Sequence, residues 1–299
     1  MKDFRVNLSN LSLKNPVMPA SGTFGFGYEF MQFYDTSMLG AIVSKGLSIE
    51  PRIGNFGKRL LEIKGGLINS IGLENPGING FIENILPQIK DISTTYIVNI
   101  FGSDIEEYIN VASRLKDLDR VDAIEVNISC PNVKSGGLNL GSDLNLIREL
   151  ANRLREIFPK PIIFKVSQDL QYIEIARICR DEGIDALTCI NTIQSLAIDV
   201  EKRSFYFNNI YGGLSGPAIK PIALRVVYQV AKEVGIPVIG CGGIMNYKDA
   251  LEFFMAGASA VQIGTANFTN PLSTLQILKG LLQFFENNNI QSINELRIW

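Results

Sequence analysis

Along the chain, short runs that are apolar at nearly every position alternate with stretches in which apolar residues return every three or four positions. The runs Val17-Ala20, Ala41-Ser44, Tyr96-Ile100, Ala123-Asn127, Ile162-Val166, Ala186-Ile190, Val238-Gly240 and Ala260-Ile263 are rich in β-branched residues and predict eight strands. Helical periods over Ile105-Lys116, Leu144-Ile157, Tyr172-Glu182, Ile222-Val234 and Tyr247-Ala256 lie between them, and Gly183, Gly235 and Gly257 stand where helices stop. Strands this apolar suit burial on both faces, so the pattern predicts an α/β protein whose βα units close into a (β/α)8 TIM barrel. An open doubly wound sheet is the alternative. Two connections exceed a simple βα link, 45–92 after the second strand and 191–221 after the sixth; in a barrel both rise from the C-terminal rim, where sites are built. The whole of 1–299 reads as one domain.

Charge and composition narrow the function. Lys and Arg number 28 against 30 Asp and Glu, which argues against a nucleic-acid-binding surface and for a small-molecule partner. The N-terminus lacks the apolar core of a signal peptide and no apolar run approaches the roughly 20 residues needed to span a bilayer, so a cytoplasmic protein without membrane contact is expected. Cys130, Cys179, Cys189 and Cys241 form no C-x-x-C pair, and no metal site is expected from this chain.

Glycines mark the last two strand ends. Gly240-Cys241-Gly242-Gly243-Ile244 follows the seventh strand and Gly264-Thr265-Ala266 the eighth, the two places where barrels commonly hold a phosphate. Gly212-Gly213-Leu214-Ser215-Gly216-Pro217 offers further close backbone approach. Gly22-Thr23-Phe24-Gly25-Phe26-Gly27 has the wrong spacing for a dinucleotide fingerprint, which disfavours NAD bound directly by this chain. Lys45, Asn99, Asn127, Lys165 and Asn191 fall at strand ends, with Asn69 and Ser70 in the long second loop. Amides suit a flat heterocycle whose edge alternates C=O and N–H, and lysines suit an anionic ring or a carboxylate.

There is no histidine. Proton transfer therefore falls to a thiolate, a lysine or a carboxylate. Cys130, in Asn127-Ile128-Ser129-Cys130-Pro131-Asn132-Val133-Lys134-Ser135-Gly136-Gly137, begins a loop after the fourth strand with Lys134 close in sequence, where a thiolate is favoured. Cys179 and Cys189, inside a helix and a strand, read as inert buried residues, and Cys241 as a packing residue.

At these residues the chain resembles the family 1 dihydroorotate dehydrogenases, and more narrowly the catalytic subunit of the NAD-linked 1B type. The resemblance runs through Ala20-Ser21-Gly22-Thr23-Phe24-Gly25, Lys45-Gly46, Asn69-Ser70-Ile71-Gly72-Leu73-Glu74-Asn75-Pro76-Gly77, the Cys130 motif, Gly212 to Pro221 and Ala256 to Ala266. It implies an FMN-containing barrel in which Gly242, Gly243, Gly264 and Thr265 hold the FMN phosphate. Ser21, Gly22, Lys45, Gly46, Asn99, Asn127, Lys165, Ile190 and Gly216 would line the flavin. Dihydroorotate or orotate would be held by Lys45, Asn69, Ser70, Ile71, Gly72, Leu73, Asn127, Asn191 and Thr192. Cys130 matches the base that takes the C5 proton while FMN takes the C6 hydride, in pyrimidine biosynthesis. The 1B type, indicated by Val133 to Gly137, implies a homodimer within a heterotetramer whose other subunit carries FAD and a [2Fe–2S] cluster and reduces NAD+.

Some positions depart from the family pattern: Val166-Ser167-Gln168-Asp169 stands where Leu-Ser/Thr-Pro-Asn is common, and Gln194-Ser195-Leu196 replaces a Gly-Met neighbourhood. A dehydrogenase of another dihydropyrimidine, or one passing electrons to fumarate, remains the rival reading. A thiol with an ordinary pKa of about 8.5 is only a few per cent ionised at neutrality. Reduction of bound flavin by dihydroorotate is therefore expected to accelerate into mildly alkaline pH; stopped-flow rates that stay flat from about pH 6 to 9 would contradict Cys130 as an ordinary thiol base.

Overall fold

The computed structural model describes residues 4–129 and 140–299. Eight strands form one sheet: β1 (Val17–Pro19), β2 (Ala41–Val43), β3 (Thr95–Ile100), β4 (Ala123–Asn127), β5 (Ile162–Val166), β6 (Ala186–Cys189), β7 (Val238–Cys241) and β8 (Ala260–Ile263). From β2 to β8 each strand pairs in parallel with the next, and β8 pairs with β1. The seam between β1 and β2 is drawn together by Gly40 N–H donating to Val17 O at 2.9 Å, which closes the barrel. A Cβ at Gly40 would stand 1.9 Å from the Asn15 carbonyl oxygen, so only glycine passes there.

Strand alternation sorts the barrel into two cores. Outward residues such as Val98, Ile124, Val126, Phe164, Leu187 and Val261 pack under the helices α1 (Ile105–Leu115), α2 (Leu144–Ile157), α3 (Tyr172–Asp181), α4 (Lys220–Glu233), α5 (Tyr247–Met255) and α6 (Ser273–Asn287). Inward residues Met18, Ile97, Ala123, Ile163, Ala186, Ile239 and Ala260 form a second apolar cluster. Below it a hairpin, Val6–Leu8 with Leu11–Leu13, turns Val6, Leu8, Leu11 and Leu13 into the same cluster and plugs the barrel.

The helices start where polar caps stand. Asp143 accepts from the N–H groups of Asn145 and Leu146, and Asn246 forms a reciprocal capping box with Asp249. Helix α4 begins at Lys220, ahead of the expected Ile222, because Pro221 falls in the first turn, where its missing N–H is not needed. The hairpin and α6 were not among the expected elements. Both are amphipathic: α6 buries Leu275, Leu278, Leu281 and Phe285 at helical spacing.

Both long connections carry structure of their own. The segments Leu60–Ile63 and Gly66–Asn69 after β2 join Ile193–Leu196 and Tyr211–Ser215 after β6 in a four-stranded antiparallel sheet. Among the described residues no helix is long and apolar enough to cross a membrane.

At the opposite end, Asp185 ties the plug to the wall. Its buried carboxylate accepts from Ile162 N at 2.9 Å, Arg155 Nη1 at 3.1 Å and Asn10 Nδ2 at 2.9 Å, and its carbonyl accepts from Ser9 Oγ at 2.9 Å. Removing it takes the counter-charge from Arg155 and leaves the buried Ile162 N–H without its acceptor. Asp185→Ala is expected to lower the unfolding free energy by about 3 kcal/mol in urea titrations; a change within about 0.5 kcal/mol would contradict this role.

Candidate active site

A cavity of about 700 Å³ opens at the C-terminal ends of the strands. Every expected substrate and cofactor residue within the described part of the chain lines it: Ser21 and Gly22 after β1, Lys45 and Gly46 after β2, Asn99, Asn127 and Lys165 on β3, β4 and β5, and Ile190, Asn191 and Thr192 after β6. Asn69 to Leu73 and Gly216 reach it from the two long connections, and Gly242, Gly243, Gly264 and Thr265 from the ends of β7 and β8. Cys130 and Pro131 to Gly137 lie outside the described residues.

The roof is held by pairing between the two connections. Asn69 Nδ2 donates to Gly213 O at 3.0 Å and Ser70 Oγ to Tyr211 O at 3.2 Å. Asn55 Nδ2 in turn holds Ser70 Oγ at 3.0 Å. Gly72 and Leu73 both take positive φ, and Asn75 secures that bend by accepting from Gly77 N at 2.9 Å and donating to Leu73 O at 2.8 Å.

Amide orientation follows from donor and acceptor matching. Asn127 Oδ1 accepts from Asn191 Nδ2 at 3.2 Å and from Ser129 N at 3.1 Å, leaving its NH2 as the end offered to the cavity. Lys45 Nζ stands 3.9 Å from Glu74, whose carboxylate is also held by Arg59. A positive side chain on the cavity wall thus has a half-exposed counter-charge, one that an incoming anion could replace.

Beneath the cavity lies a further polar layer, not expected from the sequence. Glu125, Thr188 and Gln262, on β4, β6 and β8, point into the barrel and are completely buried. Glu125 accepts from Asn99 Nδ2 and Thr188 Oγ1, each at 2.7 Å, and from Gln262 Nε2 at 2.5 Å. Lys165 Nζ donates to Gln262 Oε1 at 3.1 Å and lies 3.6 Å from Glu125 Oε1. Burial pulls the Lys165 pKa down, but the Glu125 charge, with Cys241 and the Glu125 hydrogen bond adding to it, outweighs that and leaves it above its ordinary value. The signal for this layer was a single polar residue inside each otherwise apolar run.

Burial raises the thiols of Cys179 and Cys189 far above their usual range, in keeping with inert packing. Burial also raises Cys241, while nearby Lys165 pulls the other way. Cys241 lines the cavity next to the glycines. Among the described residues no group of three or more His, Cys, Asp or Glu side chains is placed to hold a metal ion.

At the β7 end, Gly242 has φ 131° and Gly243 φ 75°. A Cβ on Gly243 would stand 2.7 Å from Lys220 Cβ and 2.9 Å from Gly216 O, so the bare backbone there is obligatory. At Gly22, φ is 82° and no atom lies within 4 Å of a Cβ position, which leaves open space over the backbone. The first is demanded by the packing of the loop and the second leaves room for a flat ring. The N-terminus of α5 adds little, since Asp249 already accepts from Met245 N and Asn246 N.

The dihydroorotate dehydrogenase family model matches residues 4–285. This chain belongs to that family. It is 47% identical over 298 residues, 99% of each chain, to the Petrotoga mobilis protein named dihydroorotate dehydrogenase B (NAD(+)), catalytic subunit. A protein of the same name from Geotalea uraniireducens is 49% identical over 98% of this chain and 97% of its own. The crystal structure of DHODH from Eimeria tenella in complex with ferulenol superposes with a TM-score of 0.81 over 98% of this chain and 87% of that one; at 20% identity the likeness is one of fold.

The Lys165–Glu125 pair has a pH signature. Because the folded-state pKa of Lys165 is raised above 10.5, its contribution to stability is complete below pH 10.5 and is lost as pH climbs through the folded value. Urea unfolding free energies of the parent are expected to fall more steeply above that pH than those of the double variant Lys165→Met, Glu125→Gln; parallel slopes would sink the assignment.

Proposed function

We propose that this chain, as a single barrel domain over 1–299, oxidises dihydroorotate to orotate on bound FMN. The observation that carries the reading is the convergence, in one cavity, of a glycine cradle, strand-end amides and two lysines drawn from every part of a dihydroorotate dehydrogenase sequence. Gly242, Gly243, Gly264 and Thr265 would hold the phosphate of FMN, and Ser21, Gly22, Lys45, Gly46, Asn99, Asn127, Lys165, Ile190 and Gly216 would surround its ring. FMN supplies the acceptor for the hydride that leaves C6.

The chain's own residues do the rest. Lys45 sets a positive charge against the substrate carboxylate, and dihydroorotate displaces Glu74 from it. The NH2 of Asn127, together with Asn69, Asn191 and Thr192, orients the ring by hydrogen bonds that a carbon-rich surface would not supply. The sheet made by the two long connections covers the ring and excludes water. Cys130 takes the C5 proton.

Electrons then pass to a separate subunit, as the words "catalytic subunit" in the names of the relatives imply for those proteins. In this reading that partner carries FAD and a [2Fe–2S] cluster and reduces NAD+, and two copies of each chain assemble in the cytoplasm. The long connections leave Ile53, Phe56, Ile198, Val200 and Phe205 exposed, apolar side chains that support cover by another chain.

Anaerobic addition of dihydroorotate to the FMN-loaded protein is expected to bleach the flavin band, with Cys130→Ala slowing the bleaching by about 10²–10⁴-fold. A loaded parent that stays oxidised, or a variant that is reduced as fast, overturns the substrate or the base respectively.

A further inference from the structure

We infer that Glu125 is a positioning residue whose carboxylate sets the donor and acceptor pattern of the cavity floor, acting through Asn99 and, by way of Gln262, through Lys165. The inference rests on the reading that FMN occupies this cavity. Glu125 itself does not line the cavity, and its nearest cavity-lining neighbours are the residues it holds.

The inference follows from counting lone pairs and protons. Four donors converge on one carboxylate: Asn99 Nδ2, Thr188 Oγ1, Gln262 Nε2 and the Lys165 ammonium. An ionised carboxylate accepts at both oxygens and donates nowhere, so each amide must turn its NH2 towards it. Asn99 therefore presents Oδ1 on its other side, next to Gly46, where a Cβ would stand 3.0 Å from that oxygen. Gln262 likewise presents Oε1 to Lys165 at 3.1 Å. The ammonium, with one proton on Gln262 and one turned to Glu125, keeps its third for the cavity it lines. The floor thus shows an acceptor, Asn99 Oδ1, beside a cationic donor, Lys165 Nζ. That pair complements a ring edge with N–H next to C=O, which is the pyrimidine edge of a flavin.

A neutral amide of the same shape at position 125 cannot accept at both ends. If its NH2 faces Asn99, the Asn99 amide must turn and the floor loses its acceptor. If its NH2 faces Gln262, that amide must turn and oppose its own NH2 to the Lys165 ammonium. Either arrangement puts a donor where the floor needs an acceptor. Moving the acid to position 262 removes the conflict: the carboxylate then accepts directly from Lys165 and from the amide at 125, whose oxygen is free for Asn99 Nδ2. A residue that mattered only for filling space would be indifferent to these exchanges.

The experiment is FMN titration of the full-length apoprotein, followed by quenching of flavin fluorescence, with thermal unfolding recorded for every variant. Glu125→Gln is expected to raise the Kd for FMN about tenfold or more, and the paired variant Glu125→Gln, Gln262→Glu to return it close to the parental value. An unchanged Kd in folded Glu125→Gln overturns the inference, as does a folded paired variant that binds FMN as poorly as the single one. Where Glu125→Gln alone does not fold, the paired variant decides: near-parental affinity supports the inference, and a folded protein with weak affinity, or failure of this variant too to fold, overturns it. A parental chain that takes up no FMN would sink the proposed function instead, so the two failures are told apart.

Discussion

One negative charge in the middle of the barrel organises what lies above it. Glu125 is wholly buried, and a carboxylate taken out of water is tolerated only where hydrogen bonds and a counter-charge replace its hydration. The barrel supplies these from separate strands: Asn99 from β3, Lys165 from β5, Thr188 from β6 and Gln262 from β8. Parallel register makes this possible. Lys165 lies opposite Thr188 on one side and Asn127 on the other, so side chains one strand apart reach the same level of the interior.

Layering follows from the same constraint. Below the charge, the inward residues are small or aliphatic, and the hairpin plug seals them from solvent with four more apolar side chains. That dry layer keeps water from reaching Glu125 from beneath and strengthens every interaction in the polar layer. Above the charge, Asn127 and the rim residues face the cavity. Glu125 and Asn127 are two positions apart on one strand and hence on one face, so the step from buried network to open site is a single turn of the strand's alternation.

Strand order was legible in the sequence because β2 to β8 are buried on both faces and mostly apolar, which leaves a recognisable run. The plug and the roof were not. Their strands are only three to five residues long, and the roof pairs residues such as Asn69 and Gly213 that are far apart in the chain. The rim residues were legible from the position of Lys45, Asn127 and the glycines at strand ends. Glu125, Thr188 and Gln262 were passed over because one polar residue set between apolar neighbours, as in Ile-Glu-Val, Leu-Thr-Cys or Val-Gln-Ile, scarcely disturbs the apolar run. Such a residue, when it falls on the inward face of a barrel strand, has nowhere to go but a shared network.

The departures from the family pattern divide along the same line. Val166 faces outward into the shell under the helices and touches no part of the floor. Asp169 lines the cavity beyond the end of β5, and Gln194 lines it from the roof, where it pairs with Gly213, itself the acceptor for Asn69. None of the altered positions belongs to the Glu125 network. The floor is held by buried, mutually dependent bonds in which one change forces others, whereas the roof is held by backbone pairing at the surface, which tolerates a change of side chain. These departures therefore fall where they alter access to the cavity, while the groups of its floor stay coupled to a single carboxylate.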